Sequence, residues 1–120
     1  MPTTITLETL PAELLELVPE DQHDALVVWL DNDPAYLTAY ADEPAYLAYT
    51  FEDAFEGGWD SLEDYAEELA AEFGYYAALE SVGASASYFD LAAFASDLKL
   101  GGDVWTAPAP RSGVYVFRNV

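Results

Sequence analysis

The chain has 120 residues, 52% of them hydrophobic and 15% aromatic, so it can bury a core as one compact domain or two small lobes and is not a disordered acidic tail. Its 23 acids face only Lys99, Arg111 and Arg118, which leaves a formal charge of −20 with no Lys or Arg anywhere in residues 1–98. That balance excludes nucleic acid, heparin and anionic membranes as partners, since each is held by basic residues that displace its counterions, and it points to a basic partner.

After an extended start at Thr3–Leu7, the run "TLPAELLELVPED" sets Leu14, Leu15 and Val18 at helical spacing, with Thr9 as N-cap and Pro19 as stop. Residues Glu20–Leu30, containing "ALVVWL", read as a helix whose acidic first turn suits the positive end of the dipole. Asp33 before Pro34, and Asp42 or Glu43 before Pro44, open two further helices with Pro in the first turn. On these, Tyr36, Tyr40, Tyr46 and Tyr49 recur at helical spacing and are expected to pack the core, because a base-stacking platform would need basic companions. Gly57 and Gly58 interrupt the pattern. Ser61 and Asp64 then form a capping-box variant ahead of "LEDYAEELAAEF", which Gly74 closes. Asp90 caps "LAAFASDLKL", ended by Gly101 and Gly102, and "DVWTAPAPRSGVYVFR" reads as two β-prone runs around a turn. The expected fold class is α+β: a mostly helical acidic lobe over residues 1–82, then a small lobe over residues 83–120 of one helix and a terminal β-hairpin. The boundary is placed at Val82–Ser87, where "SVGASAS" breaks the helical pattern.

Catalytic chemistry finds little support. His23 is the only His, no Ser or Thr stands in a nucleophile-elbow context, and there is no Cys for thiol chemistry or disulfides. The one start resembling a calcium loop, Asp31 and Asp33, runs into Ala35 and Tyr36 where a further ligand and a Gly belong. No metal and no cofactor are implied, and the protein is expected not to be an enzyme. Without a leading apolar segment the expected compartment is the cytoplasm.

The acids themselves carry the signal. Along "LEDYAEELAAEF", Glu63 and Glu67, Asp64 and Glu68, and Glu68 and Glu72 are like-charged pairs at i,i+4, each costing roughly 0.2–0.5 kcal/mol of helix stability. Folding gives no reason to accumulate them. Carboxylates so spaced repeat every ~6 Å along a helix axis, against a phosphate every ~3.4 Å along a DNA strand with two strands overlaid, so a helix face can supply charges at comparable intervals. Spread evenly over roughly 6,400 Å² of surface, the charge is about three times sparser than on duplex DNA. Imitation therefore requires clustering. The carboxylates expected to face a partner are Asp42, Glu43, Glu52, Asp53, Glu56, Asp60, Glu63, Asp64, Glu67, Glu68 and Glu72. Two rivals compete with imitation: a small domain adapted to high salt, or an acidic binding module for a basic protein that does not bind DNA.

From Phe51 onward the chain resembles the ArdA family of antirestriction proteins. The block "FEDAFEGGWDSLEDYAEELAAEFG" carries the family's aromatic, Gly, aromatic, acid and Ser at Phe55, Gly57, Trp59, Asp60 and Ser61, with its aromatic–Ala pair at Tyr65 and Ala66. "YFDLAAFASDLKLGGDVW" and "VYVFR" resemble the closing helix and last strand. Residues 1–50 match in acidic helical character alone, and the β-containing domain that usually opens family members has no counterpart, so the chain looks like a shortened member. The resemblance implies a DNA mimic that occupies the DNA-binding groove of type I restriction-modification enzymes, and it implies a homodimer. The dimer is expected to form through the C-terminal lobe, where all three cations lie, with Tyr88, Trp105, Tyr115 and Phe117 at the interface.

Overall fold

A computed structural model of the protein describes residues 5–119. The fold is α+β, with seven α-helices and a three-stranded sheet among the described residues. Contacts divide the chain into two compact units, one running up to Glu56 and the other spanning Gly57–Asn119.

The first unit holds α1 (Ala12–Leu17), α2 (His23–Asn32), α3 (Pro34–Ala39) and α4 (Pro44–Ala54). The expected extended start lies partly outside the described residues; within them, Leu7 belongs to a 3₁₀ turn, Leu7–Thr9. Thr9 does not cap α1 as expected. Its hydroxyl donates to the Thr6 carbonyl at 2.8 Å and accepts the Thr6 N–H at 3.0 Å, closing the 3₁₀ turn, while Pro11 precedes α1 with its ring fixing φ. Helix α1 stops just before Pro19. There His23 Nε2 donates towards the carbonyls of Leu15 (2.9 Å) and Val18 (2.8 Å), acceptors that a helix end leaves without an intrahelical partner. The single His therefore has a structural task.

Pro34 and Pro44 open α3 and α4 at the first helical positions, where a missing N–H costs nothing. The core of this unit is Leu14, Leu26, Leu30, Leu47 and Phe51, all fully buried, with Trp29 edge-on to Phe51 at 5.6 Å. Of the four tyrosines expected to pack the core, Tyr36 and Tyr40 are half-buried, Tyr36 edge-on to Trp29 at 5.5 Å, whereas Tyr46 and Tyr49 stay outside it. Helix α4 turns Leu47, Phe51 and Ala54 inward, at i, i+4 and i+7, which rotates Tyr46 and Tyr49 onto the outer flank, 45% and 70% exposed. Tyr40 instead bridges Tyr36 and Tyr46, with ring centroids 4.8 and 4.7 Å away, and burial foremost pushes the Tyr36 hydroxyl above the usual tyrosine range.

The second unit is built on α5 (Leu62–Glu72), α6 (Tyr75–Ser81) and α7 (Leu91–Leu100), with β1 (Phe55–Trp59) entering from the first unit, and β2 (Val104–Pro108) and β3 (Val114–Arg118). The terminal hairpin forms as expected, β2 antiparallel to β3 with Val104 opposite Arg118 and Pro108 opposite Val114. The sheet order is β1–β3–β2, so the hairpin has gained a strand. That strand contains Gly57 and Gly58, whose apparent break is a strand of unusual backbone. Gly57 sits at φ 101°, a conformation L side chains rarely adopt, and a Cβ on Gly58 would come within 3.6 Å of the Tyr115 ring. The turn between β2 and β3 is far tighter: at Gly113 (φ 77°) any Cβ would overlap the Trp59 carbonyl oxygen, whereas at Gly58 it would make an ordinary contact.

Both expected caps are present. Ser61 Oγ accepts the Asp64 N–H at 3.2 Å, and Asp90 Oδ1 accepts the Ala93 N–H at 3.0 Å. Gly74 ends the acidic helix in the left-handed conformation, φ 80°. Tyr65 and Ala66 of α5, Ala95 and Leu98 of α7, Val104 and Val116 form the core, with Trp59, Leu62, Leu69 and Phe94 packed on it. The acidic helix thus groups with the hairpin, because its apolar face is covered by α7 and the sheet. The break at Val82–Ser87 falls inside this unit, where Phe89 and Tyr75 both contact Phe94.

Candidate functional site

The carboxylates are a surface property throughout. Among the described residues no charged or polar side chain is buried, and of the 23 acids only Glu56 is even half-shielded. Residues 1–56 hold thirteen of them and no Lys or Arg, whereas residues 57–119 hold ten acids and all three cations. In the first unit, Asp42 and Glu43 lie in the turn leading into α4, and Glu52 and Asp53 in its last turns.

In the second unit the acids cluster. On α5, Leu62, Tyr65, Ala66, Leu69 and Ala70 face inward at i, i+3, i+4, i+7 and i+8, which leaves Glu63, Asp64, Glu67, Glu68 and Glu72 on the outer face. Asp64, Glu67, Glu68 and Glu72 line one shallow depression with Ala71. Asp64 also lines a second one, with Asp60, Trp59 and Ser112. Asp60 and the α5 acids therefore form one strip. By contrast, the span from Val104 to Asn119 carries no acid at all. Glu63 to Glu72 spans nine residue steps, or ~13.5 Å of helix axis, so its five charges average one per ~3.4 Å of axis, the axial rise between phosphates along one DNA strand. The protein as a whole is sparser. Its 7681 Å² of accessible surface gives about 380 Å² per net charge against roughly 110 Å² for a duplex cylinder.

The strip is maintained against its own repulsion by the ends of α5 and by its buried face. Glu63 and Asp64 sit in the first turn, where the dipole favours negative charge by about 0.3–1 kcal/mol each, while Glu72 in the last turn is opposed by it. Eight more acids of the first unit, Glu8, Glu13, Glu16, Glu20, Asp21, Asp24, Asp31 and Asp33, are as exposed as those singled out from the sequence. Glu13 and Glu16 lie on α1 and Asp24 and Asp31 on α2, and the others lie in the 3₁₀ turns and the α2–α3 junction.

Of the residues expected at a dimer interface, Phe117 is fully buried and stacked at 4.4 Å on Trp105, its partner across the hairpin, so it presents no surface in the single chain; next to Val116 on the strand, it faces the side of the sheet opposite the Val116 core. Trp105 and Tyr115 are half-buried, and Tyr88 is 77% exposed. Tyr88 lies beside Tyr75, Ala78, Leu79 and Phe89 in a shallow apolar depression.

Among the described residues, no three His, Asp or Glu side chains converge to hold a metal ion, and no helix is long and apolar enough to cross a membrane. The family model for antirestriction protein (ArdA) matches residues 6–110. The match takes in the acidic helices of the first unit, where the sequence resembles the family only in character, and ends before β3, so the likeness of "VYVFR" to the family's last strand lies outside it. No curated protein and no solved structure matches the chain.

Proposed function

Because the chain belongs to the ArdA family of antirestriction proteins, we propose that it inhibits type I restriction-modification enzymes by occupying their DNA-binding groove as a mimic of duplex DNA. It acts by binding and not by catalysis, in the cytoplasm where such enzymes meet incoming DNA. The observation that supports the mechanism is the α5 strip, five exposed carboxylates at phosphate-like axial spacing on a face that contributes nothing to the core. The test is cleavage of unmodified DNA by a purified type I enzyme. Stoichiometric protein should suppress cleavage, and excess duplex DNA should restore it; full cleavage with the protein in molar excess at low salt would refute the proposal.

The protein acts as a symmetric dimer joined through the second unit. Net repulsion is lowest there, since all three cations belong to it, and its apolar depression is lined by exposed Tyr75 and Tyr88. One chain of charge −20 equals the phosphates of about ten base pairs, and a dimer those of about twenty. Sedimentation in moderate salt should give twice the 13.1 kDa chain mass, and Tyr88→Glu, at a position too exposed to disturb the fold, should return a single chain. A 13.1 kDa species at high micromolar concentration of the unaltered protein would rule the dimer out.

A further inference from the structure

The two units differ in how their charge is balanced. Residues 1–56 hold thirteen acids and no Lys or Arg, thirteen net negative charges, whereas ten acids less three cations leave residues 57–119 with seven. The helix ends sharpen the contrast. None of α1 to α4 has a side-chain cap at its N-terminus, and none has a cation in its last turn. Instead Glu16, Asp31 and Glu52 stand in the last turns of α1, α2 and α4, where the negative end of the helix dipole repels them. In the second unit, Ser61 and Asp90 cap α5 and α7, and Lys99 in the last turn of α7 complements the dipole.

Two of the first unit's helices, α1 and α3, have six residues each and are too short to persist without packing. What holds the unit is its buried core of Leu14, Leu26, Leu30, Leu47 and Phe51. That core works against a repulsion which salt controls. The Debye length is ~30 Å at ~0.01 M ionic strength and ~10 Å at ~0.1 M, so at low salt each carboxylate of the unit feels all the others, and at high salt only its neighbours. We propose that the first unit is a counterion-dependent fold: its helices open locally at low ionic strength and are secured when a basic partner supplies the charge the unit lacks, while the second unit stays closed. The acidic surface of the first unit is then ordered fully only against the partner. The partner half of this inference rests on the proposed inhibition, and the salt half stands without it.

Peptide-resolved hydrogen exchange on the whole chain tests both halves, at about 10 mM and about 500 mM NaCl. Protection of α2 and α4 should rise with salt by about tenfold or more, and that of α7 and the β2–β3 hairpin by less than about threefold. Oligolysine added at the lower salt should restore the protection of α2 and α4. Glu16→Lys combined with Glu52→Lys, both at exposed positions, should raise low-salt protection of these helices towards its high-salt value, which identifies charge and not a general effect of salt as the cause. Equal protection of α2 and α4 at both salt concentrations would overturn the proposal. So would a rise shared equally by the two units, no effect of oligolysine, or a double variant no better protected than the unaltered protein. None of these outcomes involves a restriction enzyme, so inhibition of DNA cleavage stands or falls separately.

Discussion

Raising the salt from about 50 to about 200 mM should weaken binding of this protein to a type I restriction-modification enzyme by about a hundredfold. The figure follows from the α5 strip. If its five carboxylates occupy sites that otherwise hold phosphates, and their axial density of one per ~3.4 Å gathers counterions as a single strand does, the logarithmic salt slope is about −0.7 per contact. Five contacts then give a slope near about −3.5 from this helix alone. Carboxylates of the first unit that reach the groove would steepen it. The association rate should carry part of the change, because opposite fields steer the two surfaces together and salt screens that attraction. An affinity that stays constant across this range would mean that shape or apolar contacts hold the complex, and the mimic mechanism would have to be abandoned.

Reversing Glu63, Glu67, Glu68 and Glu72 together to Lys should abolish inhibition, whereas Glu67→Lys alone should lower it only several-fold. Groove binding sums many small electrostatic contacts, so no single carboxylate dominates, but four reversals shift the charge of one short face by eight units. The fold should survive. All four side chains are exposed, the buried Tyr65, Ala66 and Ala70 are untouched, and Lys is a good helix former. Loss of the Glu63 charge near the helix N-terminus costs about 0.3–1 kcal/mol, partly offset by new i,i+4 attraction between Asp64 and the lysine that Glu68→Lys introduces. Helical circular dichroism should therefore match the unaltered protein. Complete loss of activity from one carboxylate-to-amide change in a folded protein would indicate a single-site mechanism. Undiminished inhibition by the fourfold variant would show that α5 does not face the enzyme.

Local chemistry made the helices legible. Ser61 and Asp90 are caps because their short side chains reach the N–H three residues on, Pro34 and Pro44 open helices because a first-turn residue needs no N–H, and Gly74 ends one by entering the left-handed region. The charge was legible too, since 23 acids against three cations leave a large negative excess, and its outward placement on α5 follows from the 3.6-residue period. What the chain could not show by itself depends on contacts between distant residues. Strand β1 reads as a glycine break until β3 lies beside it in the sheet. The tyrosines of α3 and α4 share helical spacing with a core stripe, and only the inward turn of Leu47 and Phe51 decides that Tyr46 and Tyr49 face solvent. Phe117 looks like spare apolar surface in a β-prone segment, but it stacks on Trp105 across the hairpin and is buried on the face of β3 opposite Val116. Sequence period fixes which residues share a face; which face is covered is decided by the partner element, and that partner is brought in from elsewhere in the chain.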